Sequence, residues 1–226
     1  MNLEWKIIGE AGFEFYGKMF ASLSHEIKNS LAVINENAGL LQDFAHMAKG
    51  GKPLDPERLA SLGGKIMEQI KRADSIVKNM NRLAHSVDEP ARSIDLQEFI
   101  EYMIRITERL TGMKGVSISP VPPEEQIRIT THPFFLENLI WRCIDFAAES
   151  SCGKKTIKVG AEMKDNDPVI RFSDLEGLSE ASLEEFPSEQ EKALLTVLNS
   201  RISIDAKGGE MHLLLSDQGK REDVIT

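Results

Sequence analysis

Apolar positions recur at steps of three and four through the first part of the chain. Phe20, Leu23, Ile27, Leu31, Ile34, Ala38, Leu41 and Ala45 form one stripe, the pattern of a helix with a single buried seam. The stripe should stop near Lys49-Gly50-Gly51-Lys52-Pro53, where glycine and proline both interrupt a helix. Asp55-Pro56-Glu57 then offers an N-cap acceptor followed by proline at the first helical position. A second seam follows in Leu59, Leu62, Ile66, Ile70, Ala73, Val77, Met80 and Ala84. Gly63-Gly64 inside it costs about 1 kcal/mol per glycine relative to alanine, and is read as a point of close packing or bending. Two antiparallel helices of roughly 45 Å leave much of these seams wet. Two such hairpins packed as a four-helix bundle would cover them, which predicts a homodimer.

Beyond residue 87 the pattern changes. Ser86-Val87-Asp88-Glu89-Pro90-Ala91-Arg92 is polar, carries proline and falls off the periodicity, so it reads as a linker. Short alternating runs follow at Ile94–Leu96, Val116–Ser119 and Ile127–Thr130, then at Lys155–Met163 and Val169–Phe172, which should pair as a hairpin across Lys164–Asp167. Arg201–Asp205 and Glu210–Leu215 are the last expected strands. Amphipathic helices are expected over Gln97–Thr111, Pro133–Ser150 and Ser188–Ser200. The fold class is α+β: a helical hairpin over residues 1–87, and an α/β sandwich with a largely antiparallel sheet over residues 88–226.

Composition narrows the function classes. With 27 Lys and Arg against 36 Asp and Glu, the net charge of −9 supplies no basic field for nucleic acid. No apolar run approaches the roughly 18 residues needed to cross a bilayer, and the opening MNLEWKIIGEAGFEF lacks a signal-peptide pattern. About a dozen residues precede the first expected helix, too few for a sensor domain. Cys143 and Cys152 are too few for a disulfide framework and have no metal-ligand spacing. The expectation is a soluble protein of the reducing cytoplasm, with no metal site of its own.

The chemistry lies in Phe20-Ala21-Ser22-Leu23-Ser24-His25-Glu26-Ile27-Lys28-Asn29-Ser30-Leu31. At 100° per residue His25 lies about 200° from Leu23 and Ile27, pointing away from the seam. A neutral imidazole nitrogen is a good nucleophile near neutral pH. Glu26 could accept from its other ring nitrogen, and Asn29, one turn along, could orient a water or a phosphoryl oxygen. On spacing alone the same residues are equally a solvated polar face.

This stretch resembles the phosphoacceptor box of the histidine kinase family, H-E-[IL]-[KR]-[NT]-P-L. His25-Glu26-Ile27-Lys28-Asn29 and Leu31 match, while Ser30 replaces the proline and so removes a helix bend. The resemblance runs from about residue 12 to 220. It implies that His25 is phosphorylated, that Glu26 is its acid/base partner, and that Glu26-x-x-Asn29 is a phosphatase motif whose amide positions water. His46, His85, His132 and His212 match nothing and are expected to be structural or surface groups.

The second half resembles the family's ATP-binding domain with its site worn away. Thr131–Ala147 is similar to the N box, but Arg142 and Phe146 stand where its two asparagines belong, the second of them a magnesium ligand. A phenyl ring offers no oxygen to a hard cation. Asp174 survives from the D-x-G-x-G element and is the remaining candidate for an adenine contact, while Glu176 and Leu178 replace its glycines. Phe186-Pro187 matches the F box, Leu194 and Thr196 fall on the lid's G-x-G, and Ala206–Glu210 is similar to the H-G-G turn. The resemblance therefore implies a dimeric histidine phosphotransferase of a phosphorelay. It would exchange phosphoryl groups with response-regulator receiver domains or an upstream histidine kinase and bind no cofactor tightly. ATP is not expected to bind, and magnesium is expected to come with the receiver. An ATP-dependent sensor kinase with a divergent site, and a non-enzymatic dimeric interaction module, are the alternatives.

Overall fold

In the computed structural model, residues 3–88, 90–151, 156–178 and 184–217 are described. The two long helices are present. α1 (Leu3–Lys49) runs for 47 residues and α2 (Pro56–Ala84) for 29. Asp55 caps α2, its Oδ1 accepting from Glu57 N at 3.0 Å and Arg58 N at 3.3 Å. α1 begins far earlier than its expected seam, so residues 3–12 are helical rather than a lead to the first helix. Residues 3–19 cluster with the α/β part of the chain, and Phe20–Ala84 form the hairpin unit. This departs from a single division at residue 87. The cause is apolar: Ile8, Ala11, Phe15 and Met19 are buried in the α/β unit, and Phe15 meets Phe134 at 5.9 Å between centroids.

Within the hairpin unit the expected seams divide. Leu23 and Leu62 are buried, whereas Phe20 (46% exposed), Leu31 (55%), Ile70 (45%) and Val77 (43%) are left on the surface; Ile76 and Leu83, outside the expected stripe of α2, are buried instead. Arg58 lies over the Phe44 ring, 4.6 Å from its centroid. α2 continues through Gly63 and Gly64, and a Cβ at either would meet nothing within 4 Å. The expectation of close packing at that pair is corrected for the single chain.

The α/β unit contains two sheets. β1 (Arg92–Asp95) pairs antiparallel with β3 (Arg128–Thr131). The larger sheet has the order β2 (Ser117–Val121), β4 (Thr156–Lys164), β5 (Asp167–Ser173), β7 (Glu210–Leu214), β6 (Arg201–Asp205), with β2–β4 parallel and the rest antiparallel. Its strands bury Ile157, Val159, Ile170, Phe172, Met211 and Leu213. On the exposed side Arg171 bridges Glu162 at 3.5 Å and Glu210 at 3.4 Å, the alternation of a half-buried sheet. α3 (Leu96–Met113) packs on β2, β4 and α4 (Pro133–Glu149), and α4 packs on α5 (Glu189–Leu198). Local chemistry starts each helix. Asp95 accepts from Glu98 N at 3.0 Å, Pro133 opens α4, and Ser188 and Glu191 form a capping box on α5.

The supposed linker is shorter than expected. His85–Val87 form a 3-10 turn with Ser86 buried, and Arg92 already belongs to β1. The turn after β6 has the glycines it needs. Asp205 Oδ1 accepts from Lys207 N and Gly208 N, Gly209 has φ +66°, and a Cβ on Gly208 would strike the Asp205 carboxylate. Cys152, and the expected start of β4 at Lys155, lie outside the described residues.

Candidate functional site

His25 sits mid-helix on α1 with its ring exposed, as the turn arithmetic predicts. The terminal amide of Asn29 stands one turn on, its Nδ2 3.2 Å from His25 Nδ1. Glu26 does not share that contact. Its side chain is only 12% exposed and turns to α2, where Arg72 Nη2 donates to Oε2 at 3.5 Å. Glu26 Oε1 is buried with no hydrogen-bond partner among the described residues, as are Ser22 Oγ and Ser30 Oγ. With Asn37, whose Nδ2 donates to Val33 O at 2.7 Å, these residues line a polar stripe along the inward face of α1. The expected Glu26–His25 hydrogen bond is thus replaced by an Asn29–His25 contact and a Glu26–Arg72 pair. Ser30 leaves α1 unbroken where a proline would have interrupted its backbone ladder.

The remaining histidines are scattered. His85 Nδ1 is 2.6 Å from Asp88 Oδ2, a partnership the sequence offered only as an acid three residues on. His132 packs on Phe135 at 4.4 Å, and burial pushes its ring below the ordinary imidazole value. His212 lies 3.3 Å from Glu210 on the open sheet face. Among the described residues no group of acids, histidines and cysteines is arranged to hold a metal ion. Cys143 is fully buried, and desolvation, followed by the Glu191 charge, pushes its thiol far up.

In the α/β unit a cleft of about 440 Å³ opens beside α4, the first turns of α1 and the start of α5. Arg142, Phe146 and Phe186, three of the residues at positions that resemble a nucleotide site, line it, but they are engaged with neighbouring side chains. Arg142 donates from Nη1 to Glu191 at 3.0 Å, from Nη2 to Glu14 at 3.3 Å and from Nε to Asn138 at 3.2 Å. The Phe146 ring lies flat on Phe186, with centroids 4.1 Å apart and an 8° interplanar angle. Five carboxylates, Glu14, Asp145, Glu149, Glu185 and Glu191, share the walls with two cations, Lys18 and Arg142. Lys18, hydrogen-bonded to Glu14 at 2.8 Å, holds that carboxyl below its ordinary value, and Arg142 adds to the effect. Lys114 grips Asp145 and Glu149 on the outer side. Burial opposes its charge, yet the two carboxylates hold its ammonium above the ordinary value. Asp174 stands at the end of β5 with φ +69°, 3.3 Å from Lys158, and is not part of the cleft wall. Neither the Arg142 pairing nor the part played by α1 was visible in the sequence, because Glu14 lies 128 residues from its partner.

The model of the His Kinase A (phospho-acceptor) domain matches residues 16–89, which span the hairpin and His25. The hairpin of this chain is thus similar to the phospho-acceptor domain of histidine kinases. Among curated relatives it is similar to the sensor protein kinase PilS of Pseudomonas aeruginosa, 22% identical over 162 residues that cover 70% of this chain and 29% of that kinase. The chain therefore spans under a third of that relative's length. Among solved structures, the histidine kinase AdeS of Acinetobacter baumannii gives a TM-score of 0.47 at 14% identity, covering 86% of this chain and 98% of that one. Histidine kinase ThkA, solved in complex with the response regulator protein TrrA, gives 0.46 at 17% identity, with 92% and 64% covered. Among the described residues no helix is long and apolar enough to cross a membrane.

Proposed function

We propose that this chain is a dimeric histidine phosphotransferase that exchanges phosphoryl groups with receiver domains through His25. The Nε2 lone pair of neutral His25 would attack the phosphorus of a receiver's aspartyl phosphate. The acyl-phosphate P–O bond breaks, the aspartate leaves as carboxylate, and the phosphoryl group rests on Nε2 while Nδ1 keeps its proton. Reversal onto a second aspartate completes the relay. Such a transfer relies on positioning and on charge stabilisation, and a magnesium ion held in the receiver's acidic pocket would supply part of the latter.

The observation that carries this reading is Arg142. Its guanidinium is satisfied inside the protein by Glu14, Glu191 and Asn138, at the place where the resemblance puts an asparagine of the ATP site. Beside it the Phe146–Phe186 stack presents hydrocarbon where a magnesium ligand would stand, and the acid-rich wall opposes a triphosphate. These residues do not fit a magnesium–nucleotide complex. The hairpin's exposed Phe20, Leu31, Ile70 and Val77 supply the apolar face that a second copy would cover.

A second reading, an ATP-dependent sensor kinase, draws on the cleft that stays open beside Phe146. One experiment separates the two. The protein is incubated with labelled ATP and magnesium, and in parallel with a phosphorylated receiver, and acid-labile, base-stable phosphohistidine is counted. Label from the receiver and none from ATP, with uptake abolished in His25→Ala, is the expected result. Label from ATP on His25 would establish the kinase reading instead.

A further inference from the structure

The hydrogen-bonding group nearest to the His25 ring is the Asn29 amide, 3.2 Å from Nδ1, and that contact has a chemical consequence. An amide can turn either end toward a ring nitrogen, and the two choices fix opposite tautomers. With Nδ2 toward the ring, the amide donates to a bare Nδ1, the proton lies on Nε2, and the outward nitrogen has no lone pair to offer. With Oδ1 toward the ring, Nδ1–H donates to the amide and Nε2 is left bare and facing solvent.

We propose that Asn29 is a positioning residue that sets the His25 tautomer, its Oδ1 accepting from Nδ1–H so that Nε2 is the free nucleophile. This rests on the phosphotransfer reading above and names the part of the site that prepares it. Three observations support the assignment to Asn29. Glu26, the neighbouring acceptor, is drawn inward: its Oε2 is on Arg72, and its Oε1 is buried on the inward side of α1. The i to i+4 spacing on a helix holds the Asn29 amide against the imidazole without help from elsewhere in the fold. Among the described residues the exposed ring has no other hydrogen-bond partner to fix its tautomer. The proton balance also favours this arrangement. When Nε2 bonds to phosphorus the ring gains positive character, Nδ1 retains its hydrogen, and the Asn29 carbonyl already accepts it, so no proton needs to move during transfer.

The test uses the full chain labelled with ¹⁵N-histidine, studied by two-bond ¹⁵N–¹H correlation about two pH units above the ordinary imidazole pKa of ~6.5. His25 should be mainly the Nδ1–H tautomer in the wild type. Asn29→Ala should return it to the mixture of a free ring, in which Nε2–H predominates. Asn29→Asp, which can only accept, should restore Nδ1–H. Uptake from phosphoramidate, a small phosphoryl donor, is then followed on the same three proteins. Asn29→Ala should slow it roughly 5-fold, the ratio set by the fraction of rings in the competent tautomer, and Asn29→Asp should recover it. A tautomer mixture identical in the wild type and Asn29→Ala overturns the proposal, as does equal slowing of uptake in both variants. If the tautomer pattern holds while the wild-type protein takes up no phosphoryl group at all, the phosphotransfer reading fails and the tautomer assignment stands.

Discussion

The hairpin and the α/β unit of this chain treat their polar and apolar groups in opposite ways. In the hairpin the His25 imidazole and a row of large apolar side chains face outward, while Ser22, Glu26, Ser30 and Asn37 are turned in. In the α/β unit the residues that stand at the places of a nucleotide site face inward on one another, through the Arg142 pairs and the Phe146–Phe186 stack. A surface that carries unspent apolar area and a free nucleophile is arranged for other molecules. A cleft whose arginine is already taken up by Glu14, Glu191 and Asn138 is arranged to hold its own walls together.

The contrast can be broken at its strongest points. An aspartate at Val77, on the exposed row, should leave the hairpin folded but prevent dimerisation. Sedimentation across micromolar concentrations would then show a monomer in Val77→Asp and a dimer in the wild type. A wild-type protein that is itself monomeric would remove the role assigned to that row. Arg142→Met keeps the stem and deletes the charge, leaving the buried Glu191 without its guanidinium; a loss of about 3 kcal/mol is expected, read from urea midpoints. A loss within error would mean that the cleft is not held by its ion pairs.

Smaller effects sharpen the picture. The Glu98 N–H, and after it Gln126, holds the Asp95 carboxyl below its ordinary value. A lowered carboxyl pKa stabilises the fold above the unfolded-state pKa, near ~3.9, and that stability is lost as pH falls through the lower folded-state value. Asp95→Ala should therefore cost about 1 kcal/mol at pH 7, and its gap from the wild type should close below about pH 4. Gly63→Ala should move stability the other way, by up to about 1 kcal/mol in favour of the variant, since an added methyl meets nothing in the hairpin. Destabilisation there, seen only under dimerising conditions, would place that backbone in the subunit contact.

Much of this was legible in the chain itself. The cap at Asp55 and the alternation in β4, β5, β6 and β7 are local signals, and these elements lie within a residue or two of where those signals put them. The start of α1 was not legible, for a physical reason. Residues 3–19 bury Ile8, Ala11, Phe15 and Met19 on one side and leave Trp5, Phe13 and Tyr16 exposed on another, so no single stripe stands out from the background. At the candidate site, the exposure of His25 followed from helical arithmetic. The inward turn of Glu26 did not, because it depends on Arg72, 46 positions along the chain. The departures from the nucleotide site that the α/β unit resembles showed in the sequence as missing glycines and asparagines, and only folding revealed how Arg142 and Phe146 are engaged there.

The stripe formed by Ser22, Glu26, Ser30 and Asn37 bears on something other than strength. Two smooth apolar ridges can slip past each other by a turn at little loss, since one leucine serves as well as the next. A buried carboxylate met by a single arginine admits one alignment of α1 on α2, at the expense of some cohesion. Sliding by a turn would bring Glu68 or Ile76 to the place of Arg72, a like charge or a side chain with nothing to donate. The hairpin thus trades adhesion for a unique azimuth, and every receiver would meet the imidazole pointing in the same direction.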